Sequence, residues 1–201
     1  MLTFSVYNNP EGASDMIKTI LLGLDDVLSD FTPAAFREIG KPELLTPYPI
    51  SEPYPWAIMG MPESLFWGHL DNDFFWRHVP VSESFNGLME LKDHFDVCVV
   101  ARPSGCLSGA SGKLSWVYNN CGSSMSFVLT SDIWRLARPN VLLIDCNGDE
   151  CHRFMARGGV SIVWPQPWNQ NVFVTEDRLQ YTMRAIYNLT GRYVECTNGE
   201  G

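Results

Sequence analysis

Basic residues are scarce in this 201-residue chain. Fourteen lysines and arginines face 23 aspartates and glutamates, giving a formal charge of −9 and a pI near 4.8. That deficit argues against a nucleic-acid backbone or an anionic membrane as the main partner, because both demand basic surface. Long apolar runs are missing too. None approaches the ~18 residues of a membrane span, and no basic-then-apolar leader opens the chain. Paired cysteines of the CxxC kind are absent. The six cysteines, at 98, 106, 121, 146, 151 and 196, are scattered, which fits a reduced cytoplasm better than a disulfide framework. The histidines at 69, 78, 94 and 152 show no ligand spacing. The phosphate-cradling pattern GxxxxGK[ST] does not occur, although the small-residue stretch 104–112 offers backbone amides to an anion.

What is present is a core-former. The sequence is 45% hydrophobic and 12% aromatic, enough for one domain with a small insertion. Apolar runs alternate with amphipathic segments, the pattern of a parallel sheet covered by helices. Strands are expected at about 17–24, 97–101, 126–129, 141–145 and 160–163. Helices are expected at about 33–39, 84–94, 110–120, 147–158 and 176–189. Thr32 reads as an N-cap with Pro33 at the first helical position, and Gly40 as the stop. Asn147 reads as a second cap, with Glu150 as its capping-box partner. The first strand shows no polar alternation and is expected at the centre of the sheet. The fold class is therefore α/β: a three-layer, mainly parallel five-stranded sheet with helices on both faces.

Residues 41–83 break this rhythm. They combine clustered prolines with Tyr48, Tyr54, Trp56, Phe66, Trp67, Phe74, Phe75 and Trp76. The segment is too apolar for a disordered linker and reads as a cap inserted into a core domain formed by 1–40 and 84–201. Two readings of its rings stand. Phe75 and Trp76 face the crevice and stack on a base, or they form the core of the cap.

The most informative stretch is Ile20-Leu21-Leu22-Gly23-Leu24-Asp25-Asp26-Val27-Leu28-Ser29-Asp30-Phe31. An apolar strand ends abruptly in carboxylates, at the strand end where open α/β sheets bind ligands. Further on come Phe75-Trp76-Arg77-His78, Ala101-Arg102-Pro103-Ser104, Gly112-Lys113-Leu114-Ser115-Trp116-Val117, Phe127-Val128-Leu129-Thr130 and Leu142-Leu143-Ile144-Asp145. Phe154-Met155-Ala156-Arg157-Gly158-Gly159 and Trp164-Pro165-Gln166-Pro167-Trp168-Asn169 close the series. As an ordered set, over about residues 18–170, these resemble the 5'(3')-deoxyribonucleotidase branch of the haloacid dehalogenase (HAD) superfamily, especially its small bacteriophage and bacterial members. The fold so implied is a HAD-like Rossmannoid.

The resemblance implies an aspartate nucleophile, a second aspartate two residues on as acid and base, a motif-two hydroxyl, a lysine, and acids holding Mg²⁺. On that pattern the nucleophile position is Gly23, which has no side chain, and the acid/base position is Asp25. Ala101 stands at the hydroxyl position, with Ser104 three residues later as a substitute. The lysine position falls near Ile133. The acidic pair after the fourth strand is Asp145-Cys146, and cysteine is a poor ligand for Mg²⁺. Arg102, Ser104, Lys113, Phe75 and Trp76 are the expected substrate contacts, with Asp25 and Asp145 as remnants of catalytic and metal positions. The expectation is a pseudo-phosphatase without cofactor that binds a nucleoside monophosphate or a protein partner, in the host cytoplasm if viral, with self-association left open. The alternative is an active Mg²⁺-dependent nucleotidase in which Asp25 activates water.

Overall fold

The computed structural model describes residues 17–49, 52, 54–70, 73–103 and 107–194. Five strands form one parallel sheet: β1 (Thr19–Gly23), β2 (Asp96–Ala101), β3 (Ser126–Leu129), β4 (Val141–Asp145) and β5 (Val160–Val163). Their order is β3-β2-β1-β4-β5. β1 is central, as its uniformly apolar run predicts. Leu21 pairs in register with Cys98 on one side and Leu143 on the other.

Alternate residues of each strand enter different cores. Ile20, Leu22, Leu142 and Ile144 point into the larger one. Leu21, Val100 and Leu143 point into a smaller one with Cys151 and Phe154. That is the period-2 geometry of a strand covered on both faces.

The helices are α1 (Phe31–Glu38), α2 (Pro55–Ile58), α3 (Glu63–Leu70), α4 (Asp73–His78), α5 (Phe85–Met89), α6 (Leu107–Cys121), α7 (Gly148–Ala156) and α8 (Arg178–Thr190). α7 covers the smaller core, while α1, α6 and α8 contribute to the larger one. Two capping expectations need correction. α1 begins at Phe31, and its cap position is Asp30 with no side-chain bond; the Thr32 hydroxyl donates instead to Asp26. Asn147 does cap α7, accepting from the Glu150 N–H at 2.9 Å. The Glu150 carboxylate, however, does not close the capping box, because it turns to Arg102 and the Trp134 N–H.

The segment between α1 and α5 carries a 3₁₀ turn at Pro42–Leu45 followed by α2, α3 and α4. α4 lies directly on α6. A Cβ at Gly112 would fall 2.5 Å from the Trp76 Cβ, so this close approach requires glycine at 112. The Trp116 indole N–H donates to the Val79 carbonyl at 2.7 Å and fastens the exit from the insertion.

Candidate functional site

The chain leaves β1 through a tight loop. The Leu28 and Ser29 amides and the Ser29 hydroxyl all point at the Leu24 carbonyl. Asp26 takes the left-handed conformation, with φ of 59°, a region that a side chain other than glycine seldom enters. Tertiary bonds hold it there. Its carboxylate accepts from the Thr32 N–H and the Thr32 hydroxyl, both at 2.7 Å. Its carbonyl accepts from the Gln166 amide at 2.7 Å. Burial pushes the Asp26 carboxyl up to about 7, against the opposing effect of the Thr32 bonds.

This loop delivers Asp25 to a cavity of about 580 Å³ at the C-terminal ends of the strands. The Lys113 ammonium donates to Asp25 Oδ2 at 2.7 Å and to the Arg102 carbonyl at 2.8 Å. It also lies 4.3 Å from the centre of the Trp76 ring. Lys113 is 1% exposed and Asp25 27%. Carboxylate, carbonyl and ring together replace the hydration that so buried a side chain gives up. Arg102 pairs with the buried Glu150. Asp145 accepts from the Asn147 N–H at 2.7 Å, and burial raises its carboxyl to about 6. Burial likewise drives the Cys146 thiol well above its ordinary value, assisted by the neighbouring aspartates. A thiol in that state supplies little nucleophilic thiolate.

Asp25, Arg102, Lys113 and Asp145 are therefore brought to one cavity. Ser104 lies outside the described residues. Phe75 and Trp76 are placed elsewhere than the crevice-facing reading requires. Both are buried, and Trp76 stacks on Phe31 with centroids 5.1 Å apart and planes 7° from parallel. The rings that line the cavity are Phe31, Tyr54, Trp56, Trp67 and Trp168. Ile133 is also on its wall and buried, so the ammonium at the site comes from α6 and not from the turn after β3. Asn169 is a positioning residue, a role its residue type alone does not specify. Its amide donates to the Cys146 and Trp164 carbonyls at 3.0 and 2.7 Å, joining the ends of β4 and β5. The signal lay in the Trp164–Asn169 stretch following a strand.

Gly23 is not simply bare. A Cβ there would lie 3.0 Å from Asp145 Oδ2, 3.3 Å from the Ile144 carbonyl and 3.3 Å from Val27. A side chain on the last residue of β1 would crowd the neighbouring carboxylate, which would have to give by a few tenths of an ångström.

No protein-family model matches the sequence, and no curated protein matches it. Solved structures do. The HAD-hydrolase YfnB from Bacillus subtilis, solved bound to magnesium, matches with a TM-score of 0.53 at 10% identity, over 86% of this chain and 99% of that one. A haloacid dehalogenase-like family hydrolase from Xanthomonas campestris matches with a TM-score of 0.52 at 12% identity, over 92% and 97%. A dehalogenase solved with an intermediate complex matches with a TM-score of 0.52 at 13% identity, over 89% and 99%. At these identities the likeness is one of fold, and the fold is that of the HAD-like hydrolases and dehalogenases. Among the described residues no helix is long and apolar enough to cross a membrane.

Proposed function

We propose that this chain is a pseudo-phosphatase on the nucleotidase-like branch of the HAD fold, acting by binding a ligand in the strand-end cavity rather than by phosphoryl transfer. The observation that carries the reading is Gly23. The position lacks a nucleophile, and a Cβ there would lie 3.0 Å from Asp145 Oδ2. Phosphoaspartate chemistry needs a carboxylate there.

The remaining groups support the same reading. Mg²⁺ asks for several hard oxygens in near-octahedral array. Here Asp25 Oδ2 is engaged by Lys113, Asp145 Oδ1 by the Asn147 amide, and the next residue offers sulfur. Among the described residues no group of three or more His, Cys, Asp or Glu is arranged to hold a metal. This donor set does not fit Mg²⁺. A nucleoside monophosphate, the ligand the resemblance implies, would place its phosphate on Lys113 and Arg102, and both already hold carboxylates. A protein partner is the other ligand class implied.

One observation favours the alternative of residual hydrolysis. Asp25 is held in place by a buried lysine, as a working acid or base would be. Phosphate release from deoxynucleoside monophosphates with Mg²⁺ decides between them. The expected result is no appreciable turnover. Release at about 1 per second or faster, a rate ordinary for enzymes, and abolished in Asp25→Asn, would overturn the proposal.

A further inference from the structure

The chain is acidic as a whole, yet one of its faces is basic. Arg135 and Arg138 stand on and just beyond the 3₁₀ turn Ile133–Leu136, and Arg153 and Arg157 stand at the end of α7. All four are exposed. The turn is fastened to α7 by the Trp134 N–H, which donates to the buried Glu150 at 2.8 Å. Arg153 and Arg157 follow Glu150 by three and seven residues and so share its side of the helix. None of the four arginines lines the strand-end cavity.

Trp134 organises this face. Its ring centre lies 4.6 Å from the Arg135 guanidinium and 4.7 Å from that of Arg157. A guanidinium held over an indole by its flat side keeps its N–H edge for acceptors in its own plane. Arg135 does both at once: it lies by the ring and donates from Nε to Asp132 at 2.9 Å. Arg157 lies by the same ring with no such acceptor. Among the described residues no ion pair includes Arg138, Arg153 or Arg157, although the chain has 23 acids to offer. The C-terminal end of α7 favours cations at 153 and 157. It accounts neither for Arg135 and Arg138, which belong to a separate turn, nor for the shared indole.

We infer that this face docks an acidic peptide segment of a partner protein, its carboxylates taken by Arg138, Arg153 and Arg157 beside the Trp134 ring. Charge complementarity carries the choice of partner. Nucleic acid fits less well, because a phosphate backbone longer than the patch runs on over acidic surface. A short acidic segment ends where its charges end. The surface lies apart from the cavity, so the inference goes beyond the binding reading above and does not depend on it.

The test is a nuclear magnetic resonance titration of the nitrogen-15-labelled full chain with tetraglutamate, tetraglutamine and tetrathymidylate. The Trp134 indole signal, assigned by its loss in Trp134→Phe, is the readout. The expected result is a saturable shift with tetraglutamate, none with tetraglutamine, and binding of tetrathymidylate at least about fivefold weaker. Raising salt from about 50 to about 500 mM shortens the screening length about threefold and is expected to weaken the tetraglutamate complex. Arg153→Gln combined with Arg157→Gln is expected to weaken it about 3- to 10-fold, the scale of one or two exposed ion pairs. Arg138→Gln, on the other element, repeats the measurement should the paired changes disturb α7. Arg37→Gln, an exposed arginine of α1, is expected to change nothing.

Four results overturn the inference: no saturable shift with tetraglutamate, tetrathymidylate binding as tightly, equal weakening by Arg37→Gln and the patch variants, or a shift of the Trp134 signal with protein concentration alone that Arg157→Gln abolishes. The last would make a second copy of the chain the occupant.

Discussion

The two walls of the cavity hold their shape by different means. At the strand ends, position is set by charge meeting charge or amide: Asp25 on Lys113, Arg102 on Glu150, Asp26 on Thr32. In the insertion, position is set by rings against rings. Trp67 packs edge-on to Phe66 at 5.1 Å, Trp76 lies flat on Phe31, and Trp56 leans on both Phe66 and Trp67. The difference teaches where tolerance lies. A ring that loses a neighbour still has others. A buried charge that loses its one partner has nothing of opposite sign to turn to. The walls meet at Trp76, whose ring belongs to the insertion and carries the Lys113 ammonium on its face.

The largest expected effect is therefore at that junction. Trp76 is 1% exposed. Trp76→Ala is expected to cost about 3–5 kcal/mol, the range for truncating a core aromatic, measured by chemical denaturation. Trp56 is only partly buried, and Trp56→Ala is expected to cost about 1 kcal/mol, the ordinary scale for a point change. Equal losses would erase the division of the rings into a buried set and a cavity-facing set.

Next comes the asymmetry within the Asp25–Lys113 pair. Removing the carboxylate strands an ammonium that is 1% exposed, whereas removing the ammonium leaves a carboxylate that is 27% exposed and can be hydrated. Asp25→Ala is expected to cost about 3 kcal/mol or more, and Lys113→Met about 1–2 kcal/mol, since breaking a buried pair hurts most when the buried partner remains. The reverse order would mean that Asp25, and not Lys113, is the desolvated member.

Gly23→Ala probes packing at the end of β1. Its new Cβ would press on Asp145 Oδ2 and on the backbone carbonyl of Ile144. The carboxylate can shift by a few tenths of an ångström, and the carbonyl cannot do so without disturbing β4. The expected cost is about 1–3 kcal/mol, typical of overpacking, read as a lower denaturation midpoint. A neutral or stabilised variant would show that the space is open, and would restore the case for a side chain there.

The sheet was largely legible in the sequence because its signal is local. Five apolar runs, their parallel character and the central place of β1 all follow from runs and periodicity, and Asn147 caps α7 as its residue type predicts. The site was legible only in its positions. That Asp25 lies at a strand end can be read from one segment. That Lys113, 88 residues away, reaches it depends on how closely α4 and α6 approach, which turns on glycine at 112. The Glu150 assignment failed for a similar reason. Local spacing matched a capping box, but a guanidinium 48 residues earlier in sequence competes better for the carboxylate. The rings of the insertion could be counted but not sorted, because burial within a small helical cluster is decided by packing and not by residue type.

A further expected effect concerns pH and belongs to the charged wall alone. Asp26 is 9% exposed, and its carboxyl lies at about 7 in the folded chain against an ordinary 3.8. The folded state then holds more protons than the unfolded state between those values, so stability falls as pH rises through that window. Asp145, raised to about 6 by burial, acts in the same direction. Much of the change lies below pH 5.5. Between pH 5.5 and 8 the expected loss is about 1–2 kcal/mol, or a few degrees in Tm for a chain of this size. Asp26→Asn keeps an acceptor for the Thr32 N–H and gains a donor to the Thr32 hydroxyl, so it should fold and show a flatter Tm-against-pH curve. A wild type that instead grows more stable from pH 5.5 to 8 would mean that the two Thr32 bonds outweigh burial. Asp26 would then be an ionised carboxylate, held in its left-handed turn as an anion.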